Sequence, residues 1–222
     1  MQDSLRERWD GVRERMSTAC AKAGRAESEV LLLAVTKVFP ATIIEEAYAL
    51  GMREFGENYV QEFERKRPLL PELPGARFHL IGHLQSNKAK KAGELFNVVQ
   101  TVDGPKLARR LDELGKPMEV MVEVKLSDEE SKHGCDPAEL SAVVEAIRGC
   151  ANLKLTGLMT IPPWDEDGAK SRPYFARLRE LAAAHGLAGL SMGMSNDLEV
   201  AIQEGSTIVR VGTALFGRRQ KA

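Results

Sequence analysis

The chain has 222 residues, 43% of them hydrophobic, enough for one domain with a sizeable buried core. Lysine and arginine number 31 against 32 acidic residues, and the resulting net charge of −1 gives no general pull toward nucleic acid or an anionic membrane. Cys20, Cys135 and Cys150 are scattered and lack Cys-x-x-Cys spacing, which argues against a disulfide framework or a structural zinc site and fits a reducing cytoplasm.

Residues 1–16 are dense in arginine and glutamate, without the apolar stretch of a signal peptide, and no apolar run in the chain approaches a membrane span. Leu5, Trp9, Val12, Met16 and Ala19 recur near helical spacing, so residues 1–25 are expected to form a helix packed on the rest of the domain. From residue 30 onward, β-rich runs alternate with helical patterns. Strands are expected near 30–36, 52–55, 77–82, 97–102, 118–125, 153–159, 187–192 and 206–211. Helices are expected near 41–50, 58–67, 87–95, 105–114, 137–148, 169–185 and 196–204. Asp136-Pro137-Ala138-Glu139 has capping-box order for one helix start, and Asn196 with Glu199 has the same spacing. The basic stretch Lys88-Ala89-Lys90-Lys91 reads as a solvated helix face, and residues 162–168 as a mobile rim loop.

Eight strands separated by seven helices, with one helix in front, predict an α/β fold: a single (β/α)8 TIM-like barrel over 1–222. An open doubly wound sheet is the alternative, but no Gly-x-Gly-x-x-Gly follows the first strand.

In such a barrel, functional groups gather at the C-terminal strand ends. Lys37 ends the first strand, Glu57-Asn58 follow the second, and Gly82-His83-Leu84-Gln85 follow the third. Lys37 shares strand parity with Leu31, Leu33 and Val35, and Arg210 with Ile208 and Gly212, so both cations are expected to project from the barrel interior toward its mouth. The glycine-bearing segments Gly193-Met194-Ser195-Asn196-Asp197 and Arg210-Val211-Gly212-Thr213 leave the seventh and eighth strands, where barrels of this kind commonly bind phosphate. A lysine amine condenses with an aldehyde, a cradle takes a phosphate, and an arginine donates to a pyridine nitrogen. Pyridoxal 5′-phosphate meets all three requirements. A reactive thiol at Cys135, in the turn-like Gly134-Cys135-Asp136, is the weaker of two readings; an inert cysteine is expected.

At these residues the chain resembles the pyridoxal phosphate homeostasis protein family. The resemblance rests on Ala34-Val35-Thr36-Lys37, Phe55-Gly56-Glu57-Asn58-Tyr59-Val60-Gln61-Glu62, His79-Leu80-Ile81-Gly82-His83-Leu84-Gln85-Ser86-Asn87-Lys88, Gly157-Leu158-Met159, Gly193-Met194-Ser195-Asn196-Asp197 and the run from Arg210 to Gly217. It implies a fold-type-III barrel like the N-terminal domain of alanine racemase, with the cofactor held covalently as a Schiff base on Lys37. It further implies a pyridine-nitrogen contact from Arg210, phosphate contacts from Ser191, Ser195, Gly212 and Thr213, and ring contacts from Asn58 and Met159. Two departures stand out: Phe78 where a tryptophan is usual, and Glu123-Val124-Lys125 where an amide-rich pattern is expected, so that Glu123 and Lys125 would pair if both face inward.

Fold-type-III racemases complete their sites with a second β-domain, whereas nine residues follow Thr213 here, and Tyr48, Tyr59 and Tyr174 offer no obvious base opposite Lys37. The expectation is therefore a non-catalytic protein that buffers or delivers pyridoxal phosphate and maintains vitamin B6 and amino- and keto-acid balance. Its expected partners are the cofactor and pyridoxal-phosphate-dependent apoenzymes, with no nucleic acid or membrane, as a cytoplasmic monomer. A small amino-acid racemase is the alternative, and a phosphosugar isomerase with a lysine Schiff base is a more distant third.

Overall fold

Ser4 and Glu7 open the chain's first helix as a reciprocal pair. The Glu7 N–H donates to Ser4 Oγ (3.2 Å), while the Ser4 N–H donates to the Glu7 carboxylate (2.7 Å). Helix α1 (Leu5–Lys22) follows and buries Val12, Met16, Ala19 and Cys20. The computed structural model describes residues 4–129 and 132–217.

The β-rich runs become β1 (Leu31–Val35), β2 (Glu54–Glu57), β3 (Arg77–Leu80), β4 (Val98–Val102), β5 (Met118–Glu123), β6 (Leu153–Met159), β7 (Gly189–Met194) and β8 (Ile208–Val211). Between them lie α2 (Ala41–Ala49), α3 (Val60–Lys66), α4 (Ala89–Leu95), α5 (Pro105–Asp112), α6 (Leu140–Arg148), α7 (Arg172–Ala184) and α8 (Leu198–Gln203), and a short α9 (Thr213–Phe216) follows β8. All strand pairs are parallel and in chain order, and β8 closes on β1 with Arg210 opposite Leu33. The predicted barrel is the observed one.

The apolar core lies chiefly between strands and helices. There Phe63 sits between Phe78 (centroids 4.7 Å apart) and Phe96 (5.1 Å), so Phe78 joins an aromatic row rather than leaving a gap. Inside the barrel the apolar cluster is small: Leu33, Val35 and Ile81, with Ile208 packed against them. The predicted inward parity of β1 and β8 therefore holds, and much of the remaining interior is polar. Helix α1 covers the ends of the last two β–α units: Arg15 pairs with Glu199 (2.6 Å) and donates to the Ser195 carbonyl (2.9 Å), and Arg8 donates to the Leu215 carbonyl (2.6 Å).

Neither expected capping box forms. Asp136 Oδ1 accepts from the Ala138 N–H (2.8 Å) in a turn, and α6 begins only at Leu140. Asn196 donates instead to the Asp165 and Glu166 carbonyls (2.9 and 3.1 Å), tying the rim loop to the end of β7, while Glu199 is drawn away by Arg15. Among the described residues no helix is long and apolar enough to cross a membrane.

Candidate functional site

The chain leaves β1 through a clamped turn. Thr36, fully buried, donates its hydroxyl to Glu57 (2.8 Å), and Lys66 Nζ donates to both Glu57 (2.9 Å) and the Thr36 carbonyl (2.9 Å). Burial pushes the Glu57 carboxyl pKa up, with Lys66 opposing, so the pair is held in a site where an unpaired charge would be costly. On the other side, the Val38 N–H donates to Glu62 (2.5 Å), which also pairs with Lys66. Val38 has φ +63°, a strained value for a β-branched residue. Lys37 stands between these anchors, two residues past the end of β1 rather than in the strand, and half-buried.

Two loops face it. Gly193 has φ +92°, and a Cβ there would lie 2.4 Å from the Ala201 Cβ, so only glycine lets β7 turn this tightly into α8. Asp197 braces the turn by accepting from the Met194 N–H (2.6 Å) and the Ser171 hydroxyl (2.8 Å). The next loop approaches β1 through Gly212, where a Cβ would stand 3.3 Å from the Val35 carbonyl oxygen. The Ala214 N–H donates to Ser195 Oγ (3.2 Å), joining the two loops into one surface of hydroxyls and amides.

Arg210 comes up from below. It is 3% exposed and donates from Nη1 to Ser191 Oγ (2.8 Å) and from Nη2 to the Thr160 carbonyl (2.8 Å). Burial lowers its pKa to about 10, with Asp197 and Glu123 opposing, so it keeps its charge at neutral pH. Behind Ser191 a buried polar chain crosses the barrel: Gln100 lies 2.6 Å from Ser191 Oγ, His79 Nδ1 lies 2.9 Å from Gln100, and Glu54 lies 2.6 Å from His79 Nε2.

Lys37, Asn58, Ser195, Arg210, Gly212 and Thr213 line one cavity of about 350 Å³, whose rim includes Trp164. Met159 and Ser191 are fully buried and do not line it; Ser191 spends its hydroxyl on Arg210 and Gln100. Among the described residues Glu123 and Lys125 form no ion pair: Lys125 lies beyond the end of β5, while Glu123 is buried within the barrel. Cys135 is 2% exposed, and burial pushes its thiol pKa up to about 12, which leaves it protonated and inert.

A family model described as alanine racemase, N-terminal domain, matches residues 8–220. The pyridoxal phosphate homeostasis protein of Pseudomonas aeruginosa is 48% identical over 94% of this chain and 93% of its own length; that of Escherichia coli K12 is 40% identical over 94% of each. The chain belongs to the pyridoxal phosphate homeostasis protein family. The structure of PipY from Synechococcus elongatus with PLP bound, 41% identical, superposes with a TM-score of 0.81 over 93% of this chain and all of that one. Alanine racemase of Clostridium difficile, at 15% identity and a TM-score of 0.73 over 57% of its chain, shares the fold.

Within this family frame, the features missed from sequence alone are Lys66, Gln100, the inward role of His79, and the lack of a hydrogen-bond partner for Glu123 Oε2 among the described residues. Lys66 and Gln100 read as ordinary helix and strand residues, and their roles come from partners 30 and 91 positions away.

Proposed function

We propose that this protein binds pyridoxal 5′-phosphate covalently through Lys37 and buffers or delivers it without turnover. The observation that carries this reading is the convergence on one cavity of an amine, a buried guanidinium and two joined loops of hydroxyl and amide donors. The donor set fits a phosphorylated pyridine aldehyde, and the cavity volume suits a ligand of that size. When bound, the cofactor supplies an aldehyde carbon that combines with amines.

Lys37 is the residue assigned to that carbon, its backbone held by Thr36 on one side and the Glu62 contact to Val38 on the other. Ser195, Gly212 and Thr213 are assigned to the phosphate, where charge-assisted hydrogen bonds are strongest. Arg210 donates to the ring nitrogen and, as a cation, opposes its protonation, which suits retention better than carbanion chemistry. Asn58 and the buried Met159 are assigned to the ring, and Ser191 holds Arg210. The family relationship and the bound PLP of the PipY structure support this reading.

The experiment is an absorption spectrum of the purified, cofactor-loaded protein before and after borohydride, followed by peptide mapping. The reduced adduct is expected on residue 37 and absent from Lys37→Ala. An adduct chiefly on Lys88 or Lys125 overturns the assignment.

A further inference from the structure

A second cavity, of about 400 Å³, shares Asn58, Ile81 and Ile161 with the first. Its most unusual wall residue is Glu123, the last residue of β5, which is 4% exposed. The Oε2 atom of Glu123 is buried and has no hydrogen-bond partner among the described residues. A buried carboxyl group in this state is costly unless a donor meets it. Arg210 and Lys132 act on Glu123 through space, but their hydrogen bonds and ion pairs lie elsewhere: Arg210 directs Nη1 and Nη2 to Ser191 and Thr160, and Lys132 pairs with Glu129. The unmet acceptor thus belongs to a residue that lines a space large enough for a small molecule.

The rest of the wall has the opposite character. Lys88 and Lys132 line the same cavity and are half-buried; Lys132 lies 3.6 Å from Glu129, a loose surface pairing that leaves its ammonium open to a second anion. His83 and His133 stack with centroids 4.1 Å apart and rings 14° from parallel, and His83 is steadied by Asp103 at 3.5 Å. One buried carboxyl group, two half-buried ammonium groups and a stacked pair of imidazoles lining one cavity complement a small zwitterion.

We propose that this second cavity binds a free α-amino acid, its ammonium on Glu123 and its carboxylate on Lys88 and Lys132. The inference deepens the proposed function and in that sense rests on it: a primary amine is the partner with which a protein-held aldehyde cofactor exchanges, and this cavity would hold one beside Lys37. Burial raises the Glu123 pKa to about 7, which makes the carboxylate a better proton acceptor than an ordinary one. Transfer of one proton from the ammonium to Oε2 leaves a neutral amine and a neutral acid, so charge balances with no further reactant.

The test titrates cofactor-free full-length protein with glycine, ethylamine and acetate, read by NMR shifts of His83, His133 and the Glu123 carboxyl group. Glycine should saturate with a dissociation constant on the order of 1 mM, with each single-ended probe weaker. Glu123→Gln, which preserves shape, should weaken glycine and ethylamine by roughly tenfold or more and leave acetate unchanged. Lys132→Ala should weaken glycine and acetate and spare ethylamine, and melting curves of both variants check that they are folded. Non-saturating glycine, glycine binding unaltered in Glu123→Gln, or acetate binding as tightly as glycine overturns the proposal. Because the cofactor is absent from this titration, failure here is distinct from failure of the borohydride mapping at residue 37.

Discussion

The 2.8 Å bond from Arg210 Nη1 to Ser191 Oγ sets the direction of every hydrogen bond behind it. Arginine only donates, so Ser191 must accept there and turn its own proton toward Gln100 Oε1. The amide nitrogen of Gln100 then donates to His79 Nδ1, and His79 carries its proton on Nε2, facing the Glu54 carboxylate. A donor-only group at one end and an acceptor at the other leave one consistent polarity for the chain.

Ser191→Ala should break this chain at its most sensitive point. It would leave an Arg210 N–H and the Gln100 carbonyl unpaired in a buried site, at a cost of about 1–3 kcal/mol. Urea unfolding should report that loss, and cofactor affinity should fall with it. Long-range nitrogen–proton NMR of His79 should show the Nε2–H tautomer in the parent. An unchanged stability together with the Nδ1–H tautomer in the parent would refute the assigned direction.

Ser195→Ala and Thr213→Ala should each weaken pyridoxal phosphate binding by about 1–3 kcal/mol, the value of a charge-assisted hydrogen bond lost without replacement. Pyridoxal, lacking the phosphate, should bind the parent poorly and respond little to either substitution. Equal affinity for the two vitamers would reduce the loops after β7 and β8 to ordinary turns.

Glu123 should tax stability in a defined pH window. Its folded pKa of about 7 lies above the usual 4.5, so the folded protein holds a proton that the unfolded chain releases between those values. The sign follows: relative to Glu123→Gln, the parent should lose stability as pH rises from about 4.5 through 7, by roughly 3 kcal/mol across the window. Urea midpoints of parent and variant at pH 4.5, 6 and 8 test this. A difference independent of pH would show that the carboxyl group titrates normally.

Turnover separates cofactor holding from racemisation. If Arg210 opposes protonation of the ring nitrogen as proposed, amino acids added to the loaded protein in deuterated water should show negligible α-deuterium uptake and keep their chirality. The loaded protein should instead pass cofactor to an apoenzyme. Rapid, Lys37-dependent exchange with inversion would establish the racemase alternative.

The architecture was legible along the chain because a strand and its helix are each written in local periodicity. Val98–Val102 and Met118–Glu123 fall inside the runs expected for them, and the parity of Leu33, Val35 and Ile208 already pointed the first and last strands inward. The motifs at Lys37, Ser195 and Thr213 were visible for the same reason, since each is a few contiguous residues at a strand end. Helix starts were less secure: Asp136-Pro137-Ala138-Glu139 has the residues of a capping box, but Asp136 closes a turn instead, and sequence spacing does not distinguish those two uses of one carboxylate.

Only the closed barrel decided the rest. Gln100 meets Ser191 across 91 positions, and Lys66 meets Thr36 and Glu57 from a helix whose periodicity shows a lysine like any other. The lack of a hydrogen-bond partner for Glu123 Oε2 among the described residues is likewise tertiary: Arg210 directs Nη1 and Nη2 to Ser191 and Thr160, and Lys132 pairs with Glu129. Chain text specifies which groups are present and how each strand alternates. Which donor reaches which acceptor inside a barrel depends on strand register and closure, and those are set by packing of residues distant in sequence.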